Sequence, residues 1–386
     1  MVSPVRPPAG RRLPEWGTPF PAAGTPSQRP ARDSPAAVIT GMGSAFPAPV
    51  DQRAIWDGAF SQHYNGSRIA QRIFLNSGVE TRHGVVDPRV EDVSRWSTGT
   101  RMIRYITEAV PLGARAAKAA LDDAGLAPAE VGLFAVVSCT GYATPGLDII
   151  LARDLGLPAD VRRLLIGHMG CYGAIPGMGA AADFVRARRR PALLLCVELP
   201  SLHVQPPGPD DARGRPDLEQ VVAHALFGDA AAAIVLRPDA DDGLEVLDTT
   251  AATAPATEDL MTWYVTDTGF RMGLSSKVPD VLADHVEPAT RSLLDPFGLD
   301  RDDVRAWAVH PGGPRIVDVV QERLGLEPAD TAVTRSVLAD RGNCSSATVL
   351  LVLDGLRRRG LAAGDRLVAM AFGPGLTLCM ALLRDR

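Results

Sequence analysis

Apolar residues in this chain cluster in short unbroken runs, separated by longer stretches with helical spacing. The runs at 36–43, 133–138, 161–166, 192–197, 230–236, 244–249, 304–309, 366–372 and 375–383 predict strands. Without polar alternation they read as strands covered on both faces. Between them, the Ala/Leu-rich spacing predicts helices over 110–124, 147–155, 174–189, 279–294, 314–324 and 345–356. Residues 51–108 read as polar helical segments, and Gly125 suits a helix C-terminus. A layered α/β fold with buried sheets follows. The charged, turn-prone patch at 237–243 divides it into halves at 37–240 and 241–386. In each half a reactive side chain follows a glycine ahead of a small-residue helix, Cys171 in the first and Asn343 in the second. That is a weak sign of duplication.

The first 36 residues break this pattern: nine prolines and several arginines, with no continuous apolar stretch. They read as an extended or disordered arm, not a secretion signal. No run approaches the ~18 apolar residues of a membrane-spanning helix, so no membrane insertion is expected. At 386 residues the chain exceeds one ordinary core, and 46% hydrophobic with 22% charged residues is ordinary for a soluble protein. A net charge of −5 gives no reason to expect nucleic acid as a partner. Five cysteines at irregular spacing suggest neither a disulfide framework nor a zinc site, and a cytoplasmic protein with reduced thiols fits them.

Three stretches carry the candidate chemistry. Gly170-Cys171-Tyr172-Gly173 puts a thiol between glycines, before a helix whose N-terminal N–H groups would favour a thiolate. Pro176 argues for a bend or a late start to that helix. Val309-His310-Pro311-Gly312-Gly313-Pro314 ends a strand in a turn that would hold an imidazole at the sheet edge. Arg341-Gly342-Asn343-Cys344-Ser345-Ser346 offers an amide donor that does not titrate. The three lie far apart along the chain. Spacing alone leaves a core cysteine as open as a catalytic one.

Those stretches, together with Leu226-Phe227-Gly228-Asp229 and Phe372-Gly373-Pro374-Gly375, resemble the type III polyketide synthases, the chalcone-synthase-like branch of the thiolase superfamily. The resemblance runs from about residue 37 to the C-terminus. It implies a thiolase-like five-layer αβαβα fold of two duplicated halves. It also implies a CoA-dependent acyltransferase, acting as a homodimer on malonyl-CoA and a starter acyl-CoA, with no metal or redox cofactor.

By the same resemblance Cys171, paired as a thiolate with His310, takes the starter acyl group. His310 and Asn343 then stabilise the enolate formed when malonyl-CoA loses CO₂. Phe227 is implied as an aromatic gate with Met272 beside it. Cys139, Thr140, Trp263, His203, Pro200, Ser345 and Thr144 are implied as substrate-contacting positions, Thr144-Pro145 also matching a loop that crosses the dimer axis. Arg72, Arg68, Gly312, Gly313 and Arg315 are implied at the CoA site.

The Cys139-Thr140-Gly141 setting, 76–83 and 267–270 are similar to bacterial tetrahydroxynaphthalene synthases, with Trp263 where those enzymes place a bulky Tyr that favours a malonyl starter. Residues 109–112 and 371–375 look more like mycobacterial alkylpyrone synthases, which take long acyl starters. The malonyl-primed reading is slightly preferred; an alkylpyrone or alkylresorcinol synthase is the alternative. A ketoacyl-ACP synthase III-like enzyme is a further rival, set back by His-Pro-Gly-Gly-Pro around His310, and a non-catalytic thiolase-fold subunit is set back by retention of all three residues. Cys196, Cys344 and Cys379 read as core. His63, His83, His168, His224 and His285 show no metal-ligand spacing.

Overall fold

The computed structural model describes residues 35–208 and 216–386, so nearly all of the expected N-terminal arm lies outside the described residues. The first half runs β1 (Ala37–Ala45), β2 (Pro49–Asp51), α1 (Gln52–Ile55), α2 (Ser61–His63), α3 (Arg68–Leu75), β3 (Thr81–His83), α4 (Thr98–Asp123), β4 (Leu133–Ser138), α5 (Leu147–Asp154), β5 (Arg162–Gly167), α6 (Ala174–Arg188), β6 (Ala192–Glu198), α7 (Leu218–Leu226) and β7 (Ala230–Pro238). The second runs β8 (Leu244–Thr253), the hairpin β9 (Met261–Thr266) and β10 (Gly269–Leu274), α8 (Val278–Leu294), β11 (Val304–Val309), α9 (Pro314–Leu324), α10 (Ala332–Arg341), α11 (Ala347–Arg358), β12 (Arg366–Gly373) and β13 (Thr377–Asp385).

Among the described residues a nine-stranded sheet runs β11-β12-β13-β8-β1-β7-β6-β4-β5. Its two parts repeat one scheme. In the first, β4 is parallel to β6, which is antiparallel to β7, and β7 to β1. In the second, β11 is parallel to β12, which is antiparallel to β13, and β13 to β8. Two residues each of β1 and β8 join them.

The period of two along each strand makes the layers. Leu133, Ala135 and Val137 of β4 pack with buried residues of α6 and α11 in a central core, which also takes Leu367, Ala369 and Ala371 of β12. Phe134 and Val136 face outward against α4 and α5, and Val368, Met370 and Phe372 against α8 and α9. Helix, sheet, helix, sheet, helix is the five-layer order of the thiolase-like fold. Because each central strand is covered twice, its sequence shows no alternation.

Helix α4 starts twelve residues before its expected position and runs through Pro111. Its stripe of Ala109, Leu112, Ala116, Ala117, Ala120 and Leu121 is fully packed, and this tertiary burial outweighs the proline. Gly41 and Gly43 of β1 let it lie against that helix: a Cβ on either would come 2.4 Å from the backbone of Ala120. The β9–β10 hairpin, α7 and α10 were not expected from the pattern, and all three help to build the site.

Candidate active site

Cys171 lies in a 3-10 turn, Gly170–Tyr172, between β5 and α6. Gly170 before it has φ +69° and no room for a side chain, since a Cβ would meet Pro374 at 2.8 Å. Helix α6 starts late, at Ala174, so Pro176 falls in the first turn, where its missing N–H costs no helical bond. His310 continues β11, its N–H bonded to the Met370 carbonyl at 2.8 Å. Asn343 follows α10 through Gly342, at φ +71° and ψ −170°, a conformation suited to glycine. Its backbone then pairs as a parallel bridge with Phe227, at the end of α7.

The Asn343 amide orientation is set locally: Oδ1 accepts from the Ser345 N–H at 2.8 Å and lies 3.9 Å from Cys171 Sγ. Its –NH₂ is thereby left to donate elsewhere. The anticipated bond between Cys171 and His310 is not formed in this geometry. His310 is wholly buried, and neither ring nitrogen has a hydrogen-bond partner among the described residues. Burial therefore holds the imidazole down at about 3 and pushes the thiol up to about 12, the Ser345 hydroxyl and Asn343 only partly opposing it. Each is neutral on its own. A charged pair requires the ring to swing onto the sulfur, so that mutual attraction replaces lost solvation.

Beside Cys171 is a residue the sequence reading passed over, Glu198 at the end of β6. It is fully buried and accepts from the Thr140 hydroxyl (2.8 Å), the Ser346 hydroxyl (2.5 Å), the Cys139 N–H (3.1 Å) and the Cys139 thiol (3.5 Å). Burial pushes its carboxyl up to about 7 against those donors. Ser345 Oγ lies 3.3 Å from Cys139 Sγ. Cys139, Thr140 and Ser345 thus gather around Glu198, next to Cys171. Only the unexpected acid within an otherwise apolar run could have flagged it.

A cavity of about 660 Å³, counting its open mouth, lies alongside. Phe227, Met272, Pro200, His203 and Trp263 line it, with the apolar Val50, Ile55, Phe60, Val86 and Val204 and the polar Arg82, Gln220 and His224. Cys171, His310 and Asn343 are not part of this lining. Phe227 and Trp263 join the two regions, the first through its bridge to Asn343, the second by donating its indole N–H to the Cys139 carbonyl at 2.9 Å.

Thr144 is exposed in the loop after β4, with a cis peptide to Pro145 and its hydroxyl bonded to the Tyr142 hydroxyl, and it lies outside the cavity lining. Arg68 and Arg72 are exposed on α3, and Arg315 on the first turn of α9. Gly78, after α3, lies against Leu338 and Pro314, the first residue of α9. Gly312 and Gly313 form the turn into α9, the Gly312 N–H bonding the His310 carbonyl at 3.0 Å. Cys196, Cys344 and Cys379 are buried in the core.

Two family models match, the N-terminal domain of chalcone and stilbene synthases over residues 27–240 and their C-terminal domain over 245–385. The chain is 35% identical to a 1,3,6,8-tetrahydroxynaphthalene synthase of Streptomyces peucetius subsp. caesius, over 82% of this chain and 83% of that one. It is 32% identical to the alpha-pyrone synthesis polyketide synthase-like Pks18 of Mycobacterium tuberculosis, over 90% and 91%. Among solved structures it is similar to PKS-I from the brown alga Ectocarpus siliculosus, with a TM-score of 0.84 and 30% identity over 92% of this chain and all of that one.

Proposed function

The chain belongs to the chalcone and stilbene synthases, the type III polyketide synthases, and on that premise we propose that it condenses malonyl-CoA units onto a small, malonyl-derived starter and closes the chain to a tetrahydroxynaphthalene-type aromatic. The observation that supports this choice of starter is the set of rings that line the cavity with Phe227. Trp263 is pinned by its bond to Cys139, and His203 stacks on Phe270 at 4.5 Å, so bulky, fixed rings line the cavity and would favour a small starter. The 35% identity to a tetrahydroxynaphthalene synthase supports the same reading.

In this mechanism the His310 ring takes the Cys171 proton, and the thiolate attacks the starter thioester carbonyl. The imidazolium returns its proton to the departing CoA thiolate. Neutral His310 and the Asn343 –NH₂ then donate to the thioester oxygen of a malonyl-CoA. As CO₂ leaves, charge moves onto that oxygen, where fixed donors in a water-poor site stabilise it most. The enolate carbon attacks the acyl-Cys171 carbonyl, the C–S bond breaks, and the thiolate is regenerated for the next transfer. Phe227 offers an apolar face to the malonyl carboxylate, favouring its loss as neutral CO₂. Arg68, Arg72 and Arg315 attract the CoA phosphates. The chemistry asks for no metal or redox group.

We place the enzyme in the cytoplasm as a homodimer. β5 is an edge strand with Leu164 38% and Leu165 49% exposed, next to exposed Tyr142 and Ile149, a surface that a second copy would cover. A second reading, an alkylpyrone or alkylresorcinol synthase, is favoured by the apolar residues of the lining, Val50, Ile55, Phe60, Val86 and Val204, which suit an aliphatic starter. Incubation with malonyl-CoA alone, then with short and long acyl-CoA, and mass spectrometry of the products decides between them. A naphthol from malonyl-CoA alone is expected. Strict dependence on a fatty acyl starter selects the second reading, and absence of both CO₂ and polyketide defeats both.

A further inference from the structure

Arg101, in the second turn of α4, is fully buried, yet it forms no ion pair among the described residues. Its guanidinium donates only to backbone carbonyls. Nε bonds Trp96 at 3.0 Å; one terminal nitrogen bonds Leu202; the other bonds Val93 at 2.7 Å, Ser94 at 3.1 Å and Val204 at 3.2 Å. Burying a cation is costly; the charge of Asp92 offsets part of that cost without a direct ion pair, and five carbonyls gathered at one point offset more of it. Those carbonyls tie the segment before α4 to the turn at Leu202–Val204, the turn that presents His203 to the cavity.

From His203 the linkage runs on into the site. His203 Nε2 donates to the Thr140 carbonyl at 2.7 Å, and its Nδ1 accepts the Phe270 N–H at 3.0 Å. Trp263 meets the His203 and Phe270 rings edge-on, at 5.5 and 6.0 Å. The hairpin turn presses on the same guanidinium: a Cβ on Gly269 would come 2.7 Å from Arg101 Cδ.

We propose that Arg101 is a positioning residue for starter selection: without lining the cavity, it fixes the His203, Phe270 and Trp263 wall that decides which acyl group fits. The proposal rests on the condensing-enzyme reading above. Only arginine supplies five N–H groups in a planar fork; lysine has three donors at a single point.

The test compares Arg101→Lys and Arg101→Gln with wild type and with Arg104→Gln, a partly exposed neighbour on the same helix. Each is checked for folding by circular dichroism, for malonyl-CoA decarboxylation by CO₂ release, and for product ratio when short and long acyl-CoA starters compete. We expect the starter ratio to move at least about fivefold in the Arg101 variants while decarboxylation stays within about twofold, and Arg104→Gln to move neither. An unchanged ratio in a folded variant overturns the proposal, as does a decarboxylation rate that falls in step with the ratio. Should both Arg101 variants fail to fold, Gly269→Ala displaces the guanidinium from the hairpin side, and an unmoved ratio there counts equally against it. A wild type that condenses no starter defeats the condensing reading, and this proposal with it; an active wild type with unmoved variants defeats the positioning role alone.

Discussion

Replacing Glu198 by Gln tests whether the buried acid beside Cys171 carries a proton. Burial moves its half-ionisation from the ordinary 4.5 to about 7. A carboxyl with a folded value above its unfolded one holds its proton more tightly when folded. The contribution to stability is therefore complete below pH 4.5 and is lost as the pH climbs to about 7. Over the window from pH 5 to pH 8 that loss is about 2.5 kcal/mol, since each tenfold gain in proton affinity on folding is worth about 1.4 kcal/mol. Glutamine cannot ionise, and either the Thr140 or the Ser346 hydroxyl can rotate to accept from its –NH₂, so the variant differs by an offset that does not vary with pH. Asp229, raised by burial to about 6, tilts both proteins alike. Urea-unfolding free energies at pH 5 and pH 8 should thus show the variant gaining about 2.5 kcal/mol on wild type between the two. Parallel pH dependences would refute the reasoning, for the four donors would then outweigh burial and hold the group ionised throughout.

Three further outcomes are expected. Cys171→Ala should abolish polyketide formation yet release CO₂ from malonyl-CoA, measured with labelled substrate, because His310 and Asn343 remain; polyketide from that variant would rule out the assigned nucleophile. In His310→Gln the thiol should be left at the high value its buried surroundings set, about 12, so iodoacetamide labelling at pH 7 should fall at least about a hundredfold and climb through pH 10. Matching labelling profiles in variant and wild type would remove His310 from thiol activation. Gly342→Ala, at φ +71° and with a Cβ 2.7 Å from the Leu226 carbonyl, should cost ~1–3 kcal/mol of stability and depress decarboxylation as Asn343 shifts; a fully active, fully stable variant would contradict the strain.

Cys171, His310 and Asn343 could be picked out from the sequence because each sits at the end of a regular element among glycines and prolines, where local backbone needs leave a mark. Glu198 left none, since it is one acid closing a run of apolar residues, and its value depends on hydroxyls and amides contributed from both halves. The β9–β10 hairpin escaped because its strands are half exposed and carry Trp263, Tyr264 and Arg271 without a clean alternation. Arg101 looked like an ordinary charge on a polar helix, and only the packed chain shows that it has no water around it. Elements covered on both sides were visible from composition, whereas those whose burial comes from distant segments were not.

The backbone bridge between Phe227 and Asn343 couples admission to turnover. On the proposed mechanism, a gate at Phe227 that shifts its main chain to pass a bulkier acyl group would drag along the amide assigned to decarboxylation. Met272 stands on the β9–β10 hairpin, tied to α7 through the Gln220 amide on its carbonyl at 2.6 Å, and among the described residues it makes no backbone bridge to Asn343. Evolution or engineering can therefore widen the repertoire of this enzyme at position 272 with little loss of speed, while the same attempt at 227 trades scope against rate.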